Sequence, residues 1–424
     1  MTTKQLIADT LPSGWKIGKL KYFYKFETGF TPPTTRPEYY TPDGEMWVTI
    51  ADMCNSEVTS SKNRISKLYA DSIKAKKVPR GSLLYSFKLS LGKTSIAGCD
   101  TYTNEAIASF SSEKNPCINF LKYSSCMIED NALENIYGAK LLNRERIENA
   151  IIVFPPIKTQ ERIAEYLDKR CSRIDECIKK LQAQLQLVSS YRQSLITRAV
   201  TKGLDPNVEM KASGVQWIGN MPSHWRICRV KNLFSVVCGA TPSPNPQYWN
   251  GNINWIGPSD MDEIGDVSSG KRSITREGYE SCGTTLVPQG SLVLSTRAPV
   301  GKVNIAKGEL CTNQGCKSLV PLGSKNYTKY YYFVLQAAKD QLIQDSSGTT
   351  FLELSTSALS DELLPLPSLD EQKRIVSFLE KIDEMVLELK VKLSDSIRLL
   401  NEYRSSLISA AVTGQLAIDE EASA

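Results

Sequence analysis

The chain is written twice, and this limits its fold more than any other feature. "LPSGWKIGKLKYFYKFETGFTP" (11–32) aligns with "MPSHWRICRVKNLFSVVCGATP" (221–242) at an offset of 210. "VPRGSLLYSFKLSLGKTSIA" (78–97) aligns with "VPQGSLVLSTRAPVGKVNIA" (287–306) at 209, and Trp47, Asp52 and Met53 match Trp255, Asp260 and Met261 at 208. Residues 160–201 match 372–413 at 212, with 17 of 42 paired positions identical. Offsets that drift so little over such a distance describe one duplicated unit with short loop insertions.

Both copies keep one internal order. A Trp-bearing opening leads into strand-like runs such as "GSLLYSF" and "GSLVLST", punctuated by Gly and Pro at turn-like intervals. A proline-bearing stretch, "IIVFPPIKTQE" or "LLPLPSLDEQ", then feeds a long helical pattern without internal Gly or Pro. In the first copy Leu167, Cys171, Ile174, Ile178, Leu181, Leu185, Val188 and Leu195 recur in steps of four and three, interrupted by Arg192. In the second, Leu379, Val386, Leu393, Leu400 and Leu407 recur every seven residues. Such seams describe a coiled coil, and about 40 residues make a rod of roughly 60 Å. The four segments 1–157, 158–205, 206–367 and 368–424 carry net charges of +4, +4, +1 and −4. Opposite charge on similar seams favours packing of one helix on the other. Two-fold-related copies make those helices antiparallel and hold two heads apart, as proteins that read separated half-sites on DNA do. The expected fold is therefore mixed α/β (α+β). Two similar strand-bearing heads at 1–157 and 206–367 alternate with a central spacer helix at 158–205 and a C-terminal spacer helix and tail at 368–424.

Composition narrows the function by exclusion. No apolar run approaches the length of a membrane span, and the first residues lack the basic and apolar regions of a secretory signal. Eleven cysteines without a CxxC pair, and no export signal, point to reduced thiols in the cytoplasm. Fragments that imitate catalytic motifs are incomplete. "NPQY" (245–248) has Gln where a methyltransferase signature has Pro, and no glycine-rich loop precedes it. "GKTS" (92–95) lacks the upstream glycine of a phosphate-binding loop, having Phe87 there. "DEQK" (370–373) begins a helix, where acidic groups are favoured. His224, the single histidine, has no ligand partners at metal-site spacing. The chain reads as non-catalytic, with no metal or cofactor of its own.

The repeated Pro-x-x-Trp opening, the "TP…P…YW" segment, "P-x-G-S-L…G-K-x-x-I-A", and "PP/PLP…Q-x-R-I" before a long helix cover nearly the whole chain. In this pattern it resembles the specificity subunits of Type I restriction–modification systems. The resemblance implies two target-recognition domains, each reading one half of a bipartite site in double-stranded DNA, and spacer helices that set the gap. It also implies two docked copies of an adenine methyltransferase subunit and a motor–nuclease subunit. S-adenosylmethionine, ATP and Mg are then expected on those partners. The other reading is a coiled-coil scaffold joining two protein-binding heads. It explains the duplication but not the pattern within the heads, and it predicts no salt-sensitive affinity for DNA.

Comparing the copies sorts candidate DNA contacts. Positions identical in both suit scaffold or phosphate contacts, and positions that differ in equivalent loops suit base readout. Lys93 and Lys302 each follow a shared glycine and suit phosphate contacts. Lys88 and Arg297 are equivalent but differ in kind, and Arg297 has the fork that addresses guanine. "TNEA" (103–106) and "TNQG" (312–315) share Thr-Asn, with Asn104 and Asn313 suited to capping a turn or pairing adenine, and Gln314 to pairing adenine. Arg36, Lys62, Arg64, Arg272 and Lys317 are read as further loop cations. Trp15 and Trp225 are read as core.

Overall fold

An uninterrupted apolar run predicts a strand covered on both faces, and Leu83–Ser86 and Leu292–Ser295 are buried along their whole length. Each is the middle strand of a five-stranded sheet. The computed structural model describes residues 11–54, 56–88, 90–134, 140–323, 326–347 and 352–418. In the first copy the strand order is Glu27–Thr28, Ile107–Phe110, Leu83–Ser86, Thr94–Ala97, Glu57–Val58. In the second it is Phe234–Cys238, Cys316–Pro321, Leu292–Ser295, Val303–Ala306, Asp266–Val267. In each sheet the last pair alone is parallel.

A three-stranded sheet accompanies each five-stranded one. Tyr40–Val48 lies between Asn63–Ile65 and Tyr102–Thr103, and Trp249–Ile256 lies between Arg272–Ile274 and Cys311–Thr312. Thr103 pairs with Val48 and Thr312 with Ile256, so the Thr-Asn motif leaves the sheet at the same rung in both copies. The preceding chain crosses tightly there. A Cβ on Gly29 would sit 1.8 Å from the Thr103 carbonyl oxygen, and one on Gly239 2.1 Å from that of Asn313.

A two-stranded ribbon closes each head: Lys16–Lys19 with Ile151–Phe154, and Arg226–Arg229 with Leu363–Leu366. It delivers the chain to the long helices Ile157–Lys202 and Leu369–Val412. The glutamine of the Q-x-R-I motif secures each start. Gln160 and Gln372 are fully buried, and their amides donate to the carbonyls of Pro155 and Pro367. Each helix stops at a glycine with φ of +73° (Gly203) or +77° (Gly414), a left-handed stop that residues with a Cβ disfavour.

The polypeptide forms two compact units, residues 1–181 with 395–424, and residues 182–394. Each unit contains one head and a part of both long helices, so the units run across the four segments marked out along the sequence. In the first unit Leu167, Cys171, Ile174 and Ile178 share a core with Leu407, Ala411 and Val412. In the second, Ile196, Ala199 and Val200 share one with Ile375, Val376 and Leu379. Within this second unit Arg192 meets Asp383, while Gly203 lies near Glu371, so the helices run antiparallel. Leu181, Leu185, Val188, Leu195, Val386, Leu393 and Leu400 are half-buried along the same stripes. Arg192, read as an interruption, is only 5% exposed. Its guanidinium grips Asp383 through Nε–Oδ1 at 2.7 Å and Nη2–Oδ2 at 2.9 Å, which makes it a member of the seam.

One buried acid gives the second unit a pH response. Glu362, 8% exposed, follows the short helix Thr356–Asp361. Burial, and then a hydrogen bond shared with Asp345, pushes its pKa up to about 7. The folded protein therefore keeps a proton that the unfolded chain gives up nearer 4.5, and stability falls as pH rises between these values. Glu362→Gln is expected to remove that decline and to stabilise the second unit by about 2 to 3 kcal/mol at pH 8. Urea melts of both proteins at pH 5 and pH 8 measure this; equal pH dependence would refute it.

Candidate nucleic-acid interface

In the first unit the candidate cations fall into two groups. Arg36 and Lys88 are exposed, Arg36 over the Tyr39 ring at 5.9 Å and Lys88 beside Phe87 at the same distance. Tyr39 in turn stacks on Tyr69 at 4.1 Å, which makes a planar aromatic support next to Arg36. Lys62 is exposed too, anchored through its backbone, whose amide donates to Asp52 at 2.9 Å. The other two side chains are held by the protein itself. Arg64 donates to the Gly44 carbonyl at 2.9 Å, and the Lys93 ammonium to that of Ile50 at 3.3 Å.

The second unit repeats part of this. The Lys302 ammonium donates to the Met261 carbonyl at 2.8 Å, so the shared Gly-Lys pair binds its own backbone in both copies. Arg297 pairs with Glu353 at 2.9 Å and remains half-exposed. Arg272 lies 3.4 Å from the Trp249 ring centroid and 5.9 Å from that of Trp255, an exposed guanidinium fixed on an aromatic face. Lys317 is not a loop cation. It lies in the strand Cys316–Pro321, 4% exposed, and its ammonium donates to the Leu354 carbonyl at 2.7 Å. The strand is covered on both faces here, since its neighbours Cys316 and Ser318 are buried as well. Arg64 and Arg272 also lie in strands rather than loops. Ile65 and Ile274 occupy matching rungs, so Arg272 corresponds to Asn63 and Arg64 to Ser273. The two arginines therefore project from opposite faces.

The Thr-Asn turn brings the sharpest contrast between the copies. Asn104 accepts from the Ala106 amide and Asn313 from the Gly315 amide, so both side chains hold the turn. The next residue is exposed and tethered alike in both units: Thr31 donates to Glu105, and Thr241 donates to Gln314. One rung thus carries a carboxylate in one copy and a carboxamide in the other. Glu105 is not among the candidates drawn from the sequence, where its alignment with Gln314 in "TNEA" and "TNQG" is the signal that marks it. A carboxylate accepts from cytosine N4, and a carboxamide pairs with adenine. Among the described residues, no group of three or more His, Cys, Asp or Glu is placed to hold a metal ion, and no helix is long and apolar enough to cross a membrane.

A family model described as the Type I restriction modification DNA specificity domain matches residues 12–187 and again 222–399. The MjaIX specificity subunit of Methanocaldococcus jannaschii, a Type I restriction enzyme component, is 36% identical over 173 residues, 40% of each chain. The putative MjaX specificity subunit of the same organism is 24% identical over 279 residues, 65% of this chain and 62% of that one. The match therefore spans less than two thirds of the length of either relative. A chain from a solved structure concerned with assembly and conformational transition of the type I R-M system superposes with a TM-score of 0.71 at 18% identity. It covers 96% of this chain and 100% of that one, a likeness of fold.

Proposed function

We propose that this chain, which belongs to the Type I restriction–modification DNA specificity family, selects the DNA sequence on which partner subunits act. The observation that carries this is the double family match, once per copy, each match taking in a head and much of its long helix. Each head reads one half of a bipartite site. Exposed groups on rigid supports are the base readers: Glu105 and Gln314 at the shared rung, Arg272 on Trp249, and Arg36 beside stacked Tyr39. Cations already bound to backbone carbonyls, such as Lys93 and Lys302, keep the loops in shape.

The long helices set the gap and dock two copies of an adenine methyltransferase subunit, to which a motor–nuclease subunit adds. The chain itself is not an enzyme. S-adenosylmethionine, ATP and Mg belong to those partners, and the complex works in the cytoplasm, where its DNA is. Mapping methylated adenine across the host genome with and without this gene tests the assignment. Loss of one motif, two defined halves around a fixed undefined gap, is the expected result. An unchanged map in cells that express the chain and its partner would overturn it.

A further inference from the structure

The first unit contains a cleft of about 780 Å³ beside the edge strand Glu27–Thr28, and its lining is strongly cationic. Lys25, Lys74, Lys76, Lys77, Lys114 and Arg144 all line it and all are exposed. Three carboxylates, Glu27, Glu113 and Glu148, line it with them. Glu27 serves two of the lysines, Lys114 at 3.2 Å and Lys76 at 3.4 Å. Burial pushes its carboxyl up, but the two ammoniums outweigh this and hold it below its ordinary value. Lys77 pairs with Glu45 at 2.9 Å, and Arg144 with Glu148 at 2.9 Å. Lys25 and Lys74 form no ion pair among the described residues. The cleft therefore keeps a positive excess after its internal pairs are counted.

The second copy, built on the same strand order, has lost most of this charge. At the matched positions Lys25 becomes Ser235, Lys74 becomes Gly283, and Lys76 and Lys77 become Thr285 and Leu286. Arg144 becomes Thr356, whereas Lys21, which also lines the cleft, is matched by Lys231, and the Lys114-Asn115 pair is matched by Lys325-Asn326. A scaffold role would appear in both copies, because both fold alike; Lys25, Lys74, Lys76 and Lys77 have no basic counterpart in the second. One end of the cleft is formed by Gly29, Phe30 and Thr103, directly before the Asn104–Glu105 turn. A chain of phosphates seated among the lysines would thus reach the base-reading rung of this head.

We propose that this cleft is a phosphodiester-binding groove that seats the DNA backbone beside the half-site read by the first unit, and that the second unit binds its half-site without such a groove. This rests on the DNA-binding reading above. Contacts of this kind position the duplex and carry no sequence information, so any duplex reports on them.

The test uses the full chain in complex with its methyltransferase partner and a mixed-sequence duplex, with affinity followed by anisotropy across a KCl series. Lys25→Ser, Lys74→Gly and Lys76→Thr are combined, giving the first cleft the second copy's residues. The backbone tolerates this, since these side chains are exposed and Lys74 already has φ of +52°, where glycine is unstrained. An unchanged thermal midpoint verifies the fold. The slope of log affinity against log salt should become shallower by roughly two to three, at ~0.9 per lost phosphate contact. The duplex should also protect Lys25 and Lys74 from acetylation in the wild type. Salt-dependent binding by the wild type with the same slope in the variant overturns the groove and leaves the DNA reading standing. A wild-type complex without salt-dependent duplex binding overturns both. Protection of these lysines by inorganic tripolyphosphate but not by the duplex would assign the cleft to a small polyphosphate and overturn the proposal.

Discussion

Replacing Asp383 with alanine is expected to destabilise the second unit by about 3 to 5 kcal/mol, whereas changing Asp383 to leucine and Arg192 to methionine together leaves it near wild type. The difference follows from which charge is buried. Arg192 is 5% exposed, with its guanidinium between Asp383 and the Gln336 carboxamide oxygen, which accepts from Nη1 at 3.2 Å. Removing the carboxylate strands a desolvated cation in the helix seam. Removing both groups in favour of apolar side chains restores a continuous stripe. Arg192→Met alone should fall between, at about 1 to 2 kcal/mol, because the Asp383 side chain is 29% exposed and regains water. Native-state amide exchange along residues 192–200 reads the effect locally. Equal losses for all three variants would show that the pair contributes only packing.

The matching arginine of the first unit shows how this lock arose unevenly. Arg404 corresponds to Arg192 at the offset of 212, but the position corresponding to Asp383 is Cys171. Arg404 instead reaches Asp175 at 2.5 Å through one nitrogen and is a third exposed. Nothing along the sequence could reveal this. The partners of Arg192 lie 144 and 191 residues away, so a seam scored by hydrophobicity records the arginine only as a gap. The seams themselves were legible, because one helix enforces their periodicity locally. The duplicated strands were legible for the same reason, through continuous apolar runs such as Leu83–Ser86.

What stayed hidden depends on strand burial and on groups distant in the chain. Lys317 looked like a loop cation because "TNQGCK" reads as a turn; Cys316 opens a strand, and the next side chain is buried with it. The cationic cleft gathers residues from 25 to 144, each of which reads alone as a solvated lysine or arginine. Glu105, by contrast, is legible in the sequence, because "TNEA" and "TNQG" set it directly against Gln314.

Four residues inserted after Ser189, with four more in the facing helix after Val386, are expected to change the undefined gap of the methylated motif while leaving both defined halves intact. Within the second unit Arg192 lies opposite Asp383, so three residues back along one helix corresponds to three forward along the other. The two insertions therefore face each other and leave the Arg192–Asp383 lock in place. Four helical residues add about 6 Å and turn the helix about 40° beyond one full turn, which keeps the apolar stripe nearly aligned. Set against ~3.4 Å per base pair, this amounts to one or two base pairs of gap. An insertion after Ser189 alone would leave the facing helix short and disturb the seam, so stability should drop along with the change in gap. Adenine methylation mapping of cells expressing each variant with its partner subunit distinguishes the outcomes. Robust methylation at the original gap by the double insertion would mean that the helices hold the heads without measuring the distance between their targets.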